Sequence, residues 1–294
     1  MLQTDTGVPQ QCVVAVVGSL NLDLTALVTR APEDGETVLG RSLSTHPGGK
    51  GANQAIGAAR LAATAIIGAV GNDDAAHVLR AAQRAAGVDT RHLTELDDAT
   101  GRAIVVLAED GNNRIIVIGG ANGLLDPAYV TEALDDLDPA AVLTQLELPP
   151  SVTRAAAHWT RDRARRFILN PSPTAPVEPE ILRVANPLVV NEHEASYYAD
   201  ADPDTGIDVT VARLLDKVPA VVVTRGGDDV VIGTADGVEH IPVPHVDVVD
   251  TTGAGDHFAG TLAALLGAGV SLRDATMRAA ADAAQLVALR RDQR

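Results

Sequence analysis

The sequence predicts an α/β fold: a doubly wound, mostly parallel sheet flanked by helices, with a small β-sheet lid. Three observations point there. Short apolar runs rich in β-branched residues alternate with Ala-, Arg- and Leu-rich helical stretches, two segments interrupt that rhythm with extended chain, and glycine-rich turns join strand-like to helix-like pieces. Runs that are apolar throughout suit strands covered on both faces, and strand–helix alternation suits parallel pairing.

In chain order, the strand candidates are VVAVVGS (13–19), TAIIGAV (64–70), AVLTQLE (141–147), FILN (167–170), PLVVN (187–191) and AVVVT (220–224). Helices are expected at about 51–62, 73–86, 127–137, 151–165 and 207–217. Asp126-Pro127 places a cap before a proline at the first helical position, Ser151 can cap the fourth helix, and Gly87 follows the second as a C′ residue. Two segments lack helical periodicity. Residues 24–46 carry extended pieces with a turn at Glu33-Asp34-Gly35, and 102–119 reads as a hairpin turning at Asp110-Gly111-Asn112-Asn113. The whole chain, 1–294, is expected to form one α/β domain, with a lid built from about 24–46 and 102–119.

Composition mainly excludes partners. With 23 basic against 39 acidic side chains the formal charge is −16, which is unfavourable for binding a phosphate backbone. The only aromatic residues are Trp159, Phe167, Phe258, Tyr129, Tyr197 and Tyr198, too few for a base-stacking platform. Cys12 stands alone, so there is neither an intrachain disulfide nor a cysteine zinc site. The N-terminal MLQTDTGVPQQ lacks the basic and apolar regions of a secretory signal, and no apolar run reaches about 20 residues. A cytoplasmic protein with no nucleic-acid or membrane partner is expected.

Two constellations carry chemistry. In 249–265 a strand ending near Val249 meets Thr251-Thr252-Gly253-Ala254-Gly255-Asp256, followed by an Ala/Leu helix. The unpaired N–H groups that open such a helix form an anion site. Asp256 would repel an anion but is sensible as a base beside one; the alternative is a first-turn cap. The second constellation begins with Gly18-Ser19-Leu20-Asn21-Leu22-Asp23 after the first strand. Asn21 and Asp23 lie two apart, so in extended chain they face the same way and could hold several hydroxyls of a polyol; the alternative is a polar turn. Pro47-Gly48-Gly49-Lys50-Gly51-Ala52-Asn53-Gln54 then opens a helix, with one of only two lysines (the other is Lys217) set among three glycines. A compact ammonium and a planar guanidinium are not interchangeable in such a loop. Two known phosphate signatures fail. Phe258 stands where GxGxxG needs its third glycine, and Ser44 and Gly51 break a Walker A loop.

These constellations, with GGKGANQA (48–55), TG (100–101), GGAN (119–122), TQLELP (144–149), LNPSPT (169–174), NEHEAS (191–196), VTRGG (223–227) and VDTTGAGD (249–256), resemble the ribokinase-like carbohydrate kinases over about 13–290. That resemblance implies an α/β sandwich with a β lid that also forms a dimer interface, and ATP-dependent transfer of the γ-phosphoryl group to the 5-hydroxyl of D-ribose. It implies Asp256 as the base and Gly253, Ala254 and Gly255 as an anion hole. Asn21, Asp23, Gly49, Lys50, Asn53 and Glu147 would line the sugar pocket with Asp256. Asn191 and Glu194 would organise Mg²⁺ and the nucleotide phosphates, largely through water. Thr224, Gly226, Gly227 and Gly255 would border the nucleotide, and Asp250 with Thr252 would begin a monovalent-cation (K⁺) site. Phosphoryl transfer is mostly positioning and charge stabilisation, which suits such a set.

Two departures accompany the resemblance. His257 follows the base where a small hydroxyl residue is usual, and it could be passive, a partner of Asp256 or a nucleotide contact. The last helix runs into LVALRRDQR, where the resemblance implies a Gly-Ala-rich loop beside the cation and adenine. Two alternatives follow: a kinase for another sugar or a nucleoside, and a catalytically weak sugar- or nucleotide-binding protein.

Overall fold

The computed structural model describes residues 12–110, 112–202 and 204–289. β1 (Val14–Val17), β2 (Asn21–Val28) and β3 (Gly40–Gly48) lead into α1 (Lys50–Ala59). β4 (Thr64–Val70), α2 (Asp74–Ala85), β5 (Leu93–Glu95) and the hairpin strands β6 (Gly101–Ala108) and β7 (Asn113–Ile118) follow. After a 3-10 turn at Gly120–Leu124 come α3 (Pro127–Leu137), β8 (Ala141–Thr144), α4 (Pro150–Asp162), β9 (Arg166–Leu169), α5 (Pro179–Leu182), β10 (Ala185–Asn191) and α6 (Glu192–Ala199). The last third holds α7 (Ile207–Leu215), β11 (Val221–Thr224), β12 (Val230–Thr234), β13 (Gly237–Ile241), α8 (Ala254–Gly267) and α9 (Leu272–Val287).

Among the described residues the main sheet has nine strands in the order β13-β12-β11-β10-β9-β8-β1-β4-β5. Pairing is parallel from β11 to β5, and the edge hairpin β12–β13 is antiparallel. Strand side chains alternate faces, so each continuous apolar run feeds two cores. Ala15, Val17, Ile67, Val142 and Leu169 pack against α3, α4, α6 and α7 through residues such as Leu134, Ala156, Tyr198 and Leu214. Val14, Val16, Ile66, Leu143 and Ile168 pack against α1, α2, α8 and α9 through Ala55, Leu79, Leu262 and Ala279. An aromatic-poor chain builds this second core largely from alanines, which lets helices lie close to one another and to the sheet.

The second sheet runs β3-β2-β6-β7, with β2 and β6 parallel and both outer pairs antiparallel. It is the second, smaller sheet expected from 24–46 and 102–119, but it starts earlier, at Asn21. The hairpin turns where the sequence predicts, although Gly111 lies outside the described residues. Asp126 accepts from Ala128 N–H at the start of α3, and Gly87 has φ 81° after α2, both as expected.

Two expectations are corrected. Ser151 does not cap the fourth helix, because Pro150 begins it and Pro149 is the cap residue. A proline's fixed φ suits the first helical position, which moves the start upstream. No strand ends near Val249. The last strand closes at Ile241, and Val249 and Asp250 donate their N–H groups to Val287 O of α9. The β12–β13 hairpin was not anticipated at all.

One ionic cluster ties the second sheet to α2. Asp73, the cap of α2, accepts from Ala76 N–H at 3.0 Å, Thr100 Oγ1 at 2.6 Å, Thr100 N–H at 3.0 Å and Arg102 at 3.2 Å, just where β6 begins. Burial alone would raise the Asp73 carboxyl, but the hydrogen bonds from Thr100 and Ala76, with the Arg102 charge, hold it down at about 2. A depressed carboxylate stabilises the fold above its unfolded pKa of about 3.9 and loses that contribution as pH falls towards the folded value. Asp73→Asn is therefore expected to flatten the dependence of unfolding free energy on pH between about pH 4 and 2. Identical acid-denaturation slopes for both proteins would refute this.

Candidate active site

The candidate residues collect at the carboxyl ends of the parallel strands, where open α/β sheets place ligands. α1 starts there because Gly49 adopts φ 90°, and a Cβ at that position would lie 2.7 Å from Asn21 N and 2.8 Å from Ser19 O. Gly49 offers no side-chain cap. Glu147, in the loop after β8, takes over: its Oε2 accepts from Lys50 N–H at 3.1 Å and from the Ser19 hydroxyl. Ser19 Oγ in turn accepts from Gly51 N–H at 3.4 Å. A carboxylate at the positive end of a helix is favoured by the dipole and by the unpaired donors there.

Asn21 and Asp23 fall on the same face of β2, as the i, i+2 spacing requires. Each is seated over a glycine of a neighbouring strand, since a Cβ at Gly101 would lie 2.2 Å from Asn21 Oδ1 and one at Gly48 would lie 2.3 Å from both Asp23 oxygens. Asn21 is buried, and its Oδ1 accepts from Asn122 Nδ2 at 2.9 Å. Asn122, in the 3-10 turn, also bonds the backbone N–H and O of Leu20, both at 3.0 Å. Asp23 and Gly48 thus lead directly into Lys50 and the first turn of α1.

One turn further along α1, Asn53 Nδ2 donates to Asp256 Oδ2 at 3.1 Å and Gln54 Nε2 donates to Asp256 Oδ1 at 3.0 Å. Asp256 lies in the first turn of α8, whose cap residue Gly253 has φ 75° and no side chain to cap with. The Asp256 carboxylate reaches across to α1 and does not cap its own helix. The helices approach this closely because Gly260 of α8 faces α1: a Cβ there would stand 2.2 Å from Gln54 O and 2.9 Å from Ala58 N. His257 is buried against Gly57 of α1 and lines neither compartment of the cleft.

The cleft has two compartments. A polar one of about 180 Å³ is lined by Lys50, Asn170, Asn191, Glu194, Gly253 and Asp256, among others. An apolar one of about 280 Å³ is walled by residues including Val243, Val246, Phe258, Ala284 and Val287, with Gly226 and Gly227 at its border. Thr224 and Gly255 line both. Asn191 and Glu194 form a reciprocal capping box at α6, with Glu194 N–H donating to Asn191 Oδ1 at 2.8 Å and Asn191 N–H donating to Glu194 Oε2 at 2.9 Å. The Asn-x-x-Glu spacing is itself a helix-start signal that the sequence reading passed over. Asp250 Oδ1 accepts from Thr252 N–H at 2.8 Å in a turn just before α8. Among the described residues no group of three or more His, Cys, Asp or Glu side chains is arranged to hold a metal. Gln54, Asn122, Gln145 and Asn170 lie within the sequence motifs, but their partners are distant in sequence and no local spacing assigns them a role.

A mostly parallel sheet, an open helix N-terminus beside a carboxylate, and adjoining polar and apolar compartments define an α/β enzyme that handles an anionic substrate. The family of pfkB carbohydrate kinases matches residues 13–293. A curated ribokinase of Bacillus subtilis (strain 168) is 37% identical over 277 residues, covering 93% of this chain and 92% of its own length. Among solved structures, Arabidopsis thaliana ribokinase complexed with ribose and ATP superposes with TM-score 0.84 at 30% identity, over 94% of this chain and 93% of that one. Ribokinase from Cryptococcus neoformans var. grubii serotype A in complex with ADP superposes with TM-score 0.81 at 28% identity, over 96% and 94%. The chain belongs to the pfkB carbohydrate kinases and is an ATP-dependent sugar kinase.

The α1–α8 approach makes a direct prediction. Gly260→Ala forces the helices apart and is expected to cost about 1–3 kcal/mol, as overpacked cores do, and to lower turnover by withdrawing Asn53 and Gln54 from Asp256. Denaturant unfolding and turnover, measured together, check it; an unchanged protein on both counts would refute it.

Proposed function

We propose that this chain phosphorylates D-ribose, passing the γ-phosphoryl group of ATP to the 5-hydroxyl with Asp256 as general base. The observation that carries this reading is the position of Asp256. It stands at the open N-terminus of α8, in the polar compartment with Lys50, bonded by Asn53 and Gln54 one turn into the helix that follows the Asn21–Asp23–Gly48 corner. The ribokinase relatives support ribose as the acceptor and ATP as the donor.

In this reading ribose lies between Asp23 and Asp256, with Asn21, Gly49, Lys50, Asn53 and Glu147 around it. Asp256 takes the proton of the attacking hydroxyl. The N–H groups of Gly253, Ala254 and Gly255 receive the developing charge on the transferring group, a role suited to preorganised helix-end donors. ATP runs from the apolar compartment, which receives the base, past Thr224, Gly226, Gly227 and Gly255 to the polar one. Mg²⁺ usually binds through one or two carboxylates, substrate phosphates and water, and Glu194 with Asn191 fits that donor chemistry. It would neutralise phosphate charge there. The Asp250–Thr252 turn is assigned to a monovalent cation such as K⁺.

The four-stranded sheet serves as the lid of a single domain and as the contact with a second copy of the chain. Its edge strand β7 leaves Ile115, Ile116, Val117 and Ile118 about half exposed, and Leu43 of β3 is 69% exposed. An exposed apolar edge of this kind invites pairing.

Asp256→Asn should lower kcat for ribose by about 10²–10⁴-fold while unfolding and ribose binding stay close to wild type; equal turnover in an ADP-release assay would overturn the base assignment. Ile116→Lys with Val117→Lys should convert a dimer to a monomer in sedimentation, and a monomeric wild-type protein would exclude the lid contact.

A further inference from the structure

Behind Asp256 runs a row of buried amides that the reaction scheme leaves unused. Gln54 is fully buried in α1, and its Nε2 donates to both Asp256 Oδ1 at 3.0 Å and Asn170 Oδ1 at 2.9 Å. Its Oε1 accepts from Gln145 Nε2 at 2.6 Å. Gln145, just past β8, is 1% exposed, and its own Oε1 is buried with no hydrogen-bond partner among the described residues.

The direction of this row is set by its ends. Asn170 Nδ2 donates to Val189 O at 2.9 Å, so Asn170 presents its carbonyl oxygen to Gln54. The Asp256 carboxylate, when ionised, offers acceptors only. Gln54 must therefore turn its NH₂ group to these two, committing both hydrogens, and its oxygen must face the other way. A donor is then required on that side, and Gln145 supplies it. Were the Gln54 amide to turn over, three oxygens would meet with no hydrogen between them. Gln145 meets this demand even though its own oxygen goes unpaired, which is the expensive way to bury an amide.

We propose that Gln54 and Gln145 act as a positioning relay: Gln54 holds the Asp256 carboxylate in its reacting orientation, and Gln145 holds Gln54. The proposal rests on Asp256 being the base. Neither glutamine lies against the sugar or the nucleotide in the reading above, so both act through Asp256.

The test uses two near-isosteric variants of the whole enzyme beside Asp256→Asn, each checked for folding by thermal unfolding. Gln145→Met keeps the volume but removes the donor, leaving Gln54 Oε1 buried and unpaired so that the Gln54 side chain is no longer held in place from behind. It should lower kcat on the order of tenfold to a hundredfold, the scale of a misoriented catalytic group, with KM for ribose and ATP changed less than about twofold, as expected when only transition-state interactions are lost. Gln54→Glu sets a second carboxylate against Asp256, so the acidic limb of the kcat/KM profile should move to higher pH by about one unit or more. A residue that merely fills space would not lower kcat with KM unchanged, whereas the pH shift of Gln54→Glu reports that residue 54 adjoins the reacting carboxylate. Wild-type kcat and pH profile in both variants, with Asp256→Asn inactive, would overturn the relay and leave the base assignment standing. Full turnover in Asp256→Asn would overturn the base assignment and the relay with it.

Discussion

The site depends on how closely α1 and α8 can lie. Gly260 occupies the point where any side chain would strike the Gln54 carbonyl, and Gly57 performs the reciprocal service opposite His257. Only at that separation can Asn53 and Gln54 both reach the Asp256 carboxylate. The rest of the fold is arranged around the same contact. The alanine-rich core beneath the two helices is thin enough to permit it, and β1 with β8 brings Ser19 and Glu147 to the N-terminus of α1. A hydrogen bond of about 3 Å tolerates little drift, so the packing of the two helices against each other governs its geometry.

The chain's charge poses a problem that the site solves locally. A net −16 is unfavourable for a polyphosphate, yet exposed charges are screened beyond about 8 Å at physiological salt. Within that distance the cleft offers Lys50 and the open end of α8. Arginines on the surface are engaged with carboxylates, as in Arg30–Glu36, Arg225–Glu192 and Arg273–Glu239. Lysine scarcity therefore has a structural counterpart: one of the chain's two lysines lines the polar compartment, and the other, Lys217, pairs with Asp200 on the surface.

Local chemistry was legible wherever the deciding partner lay within a few residues. Asp126-Pro127 starts its helix as written, Gly87 closes α2, and the apolar runs at 64–70 and 220–224 become strands almost to the residue. Ser151 failed because two prolines upstream had already fixed the helix entry. The β-branched stretch before Thr251 failed for a different reason. Its backbone donors at Val249 and Asp250 find the end of α9 instead of a neighbouring strand, and strand propensity without a partner edge produces no strand. Asn191 and Glu194 could have been recognised as a capping box, since their spacing alone announces one.

By itself the sequence determined the alternation of elements, the two insertions that form the second sheet, and which glycine-rich turns and polar residues are candidates for the site. Those features follow from periodicity, turn sterics and motif spacing, all short-range. The tertiary structure alone decided which of these residues meet. Glu147 caps a helix that begins 97 residues earlier, Asn122 braces Asn21 across 101 residues, and Gln54 reaches Asp256 across 202. Amide orientation is equally non-local, because a side chain that can present either a donor or an acceptor takes its sense from the partners folding delivers. In this chain those partners arrive from α1, α8 and the chain just past β8 and β9, at the carboxyl edge of one sheet.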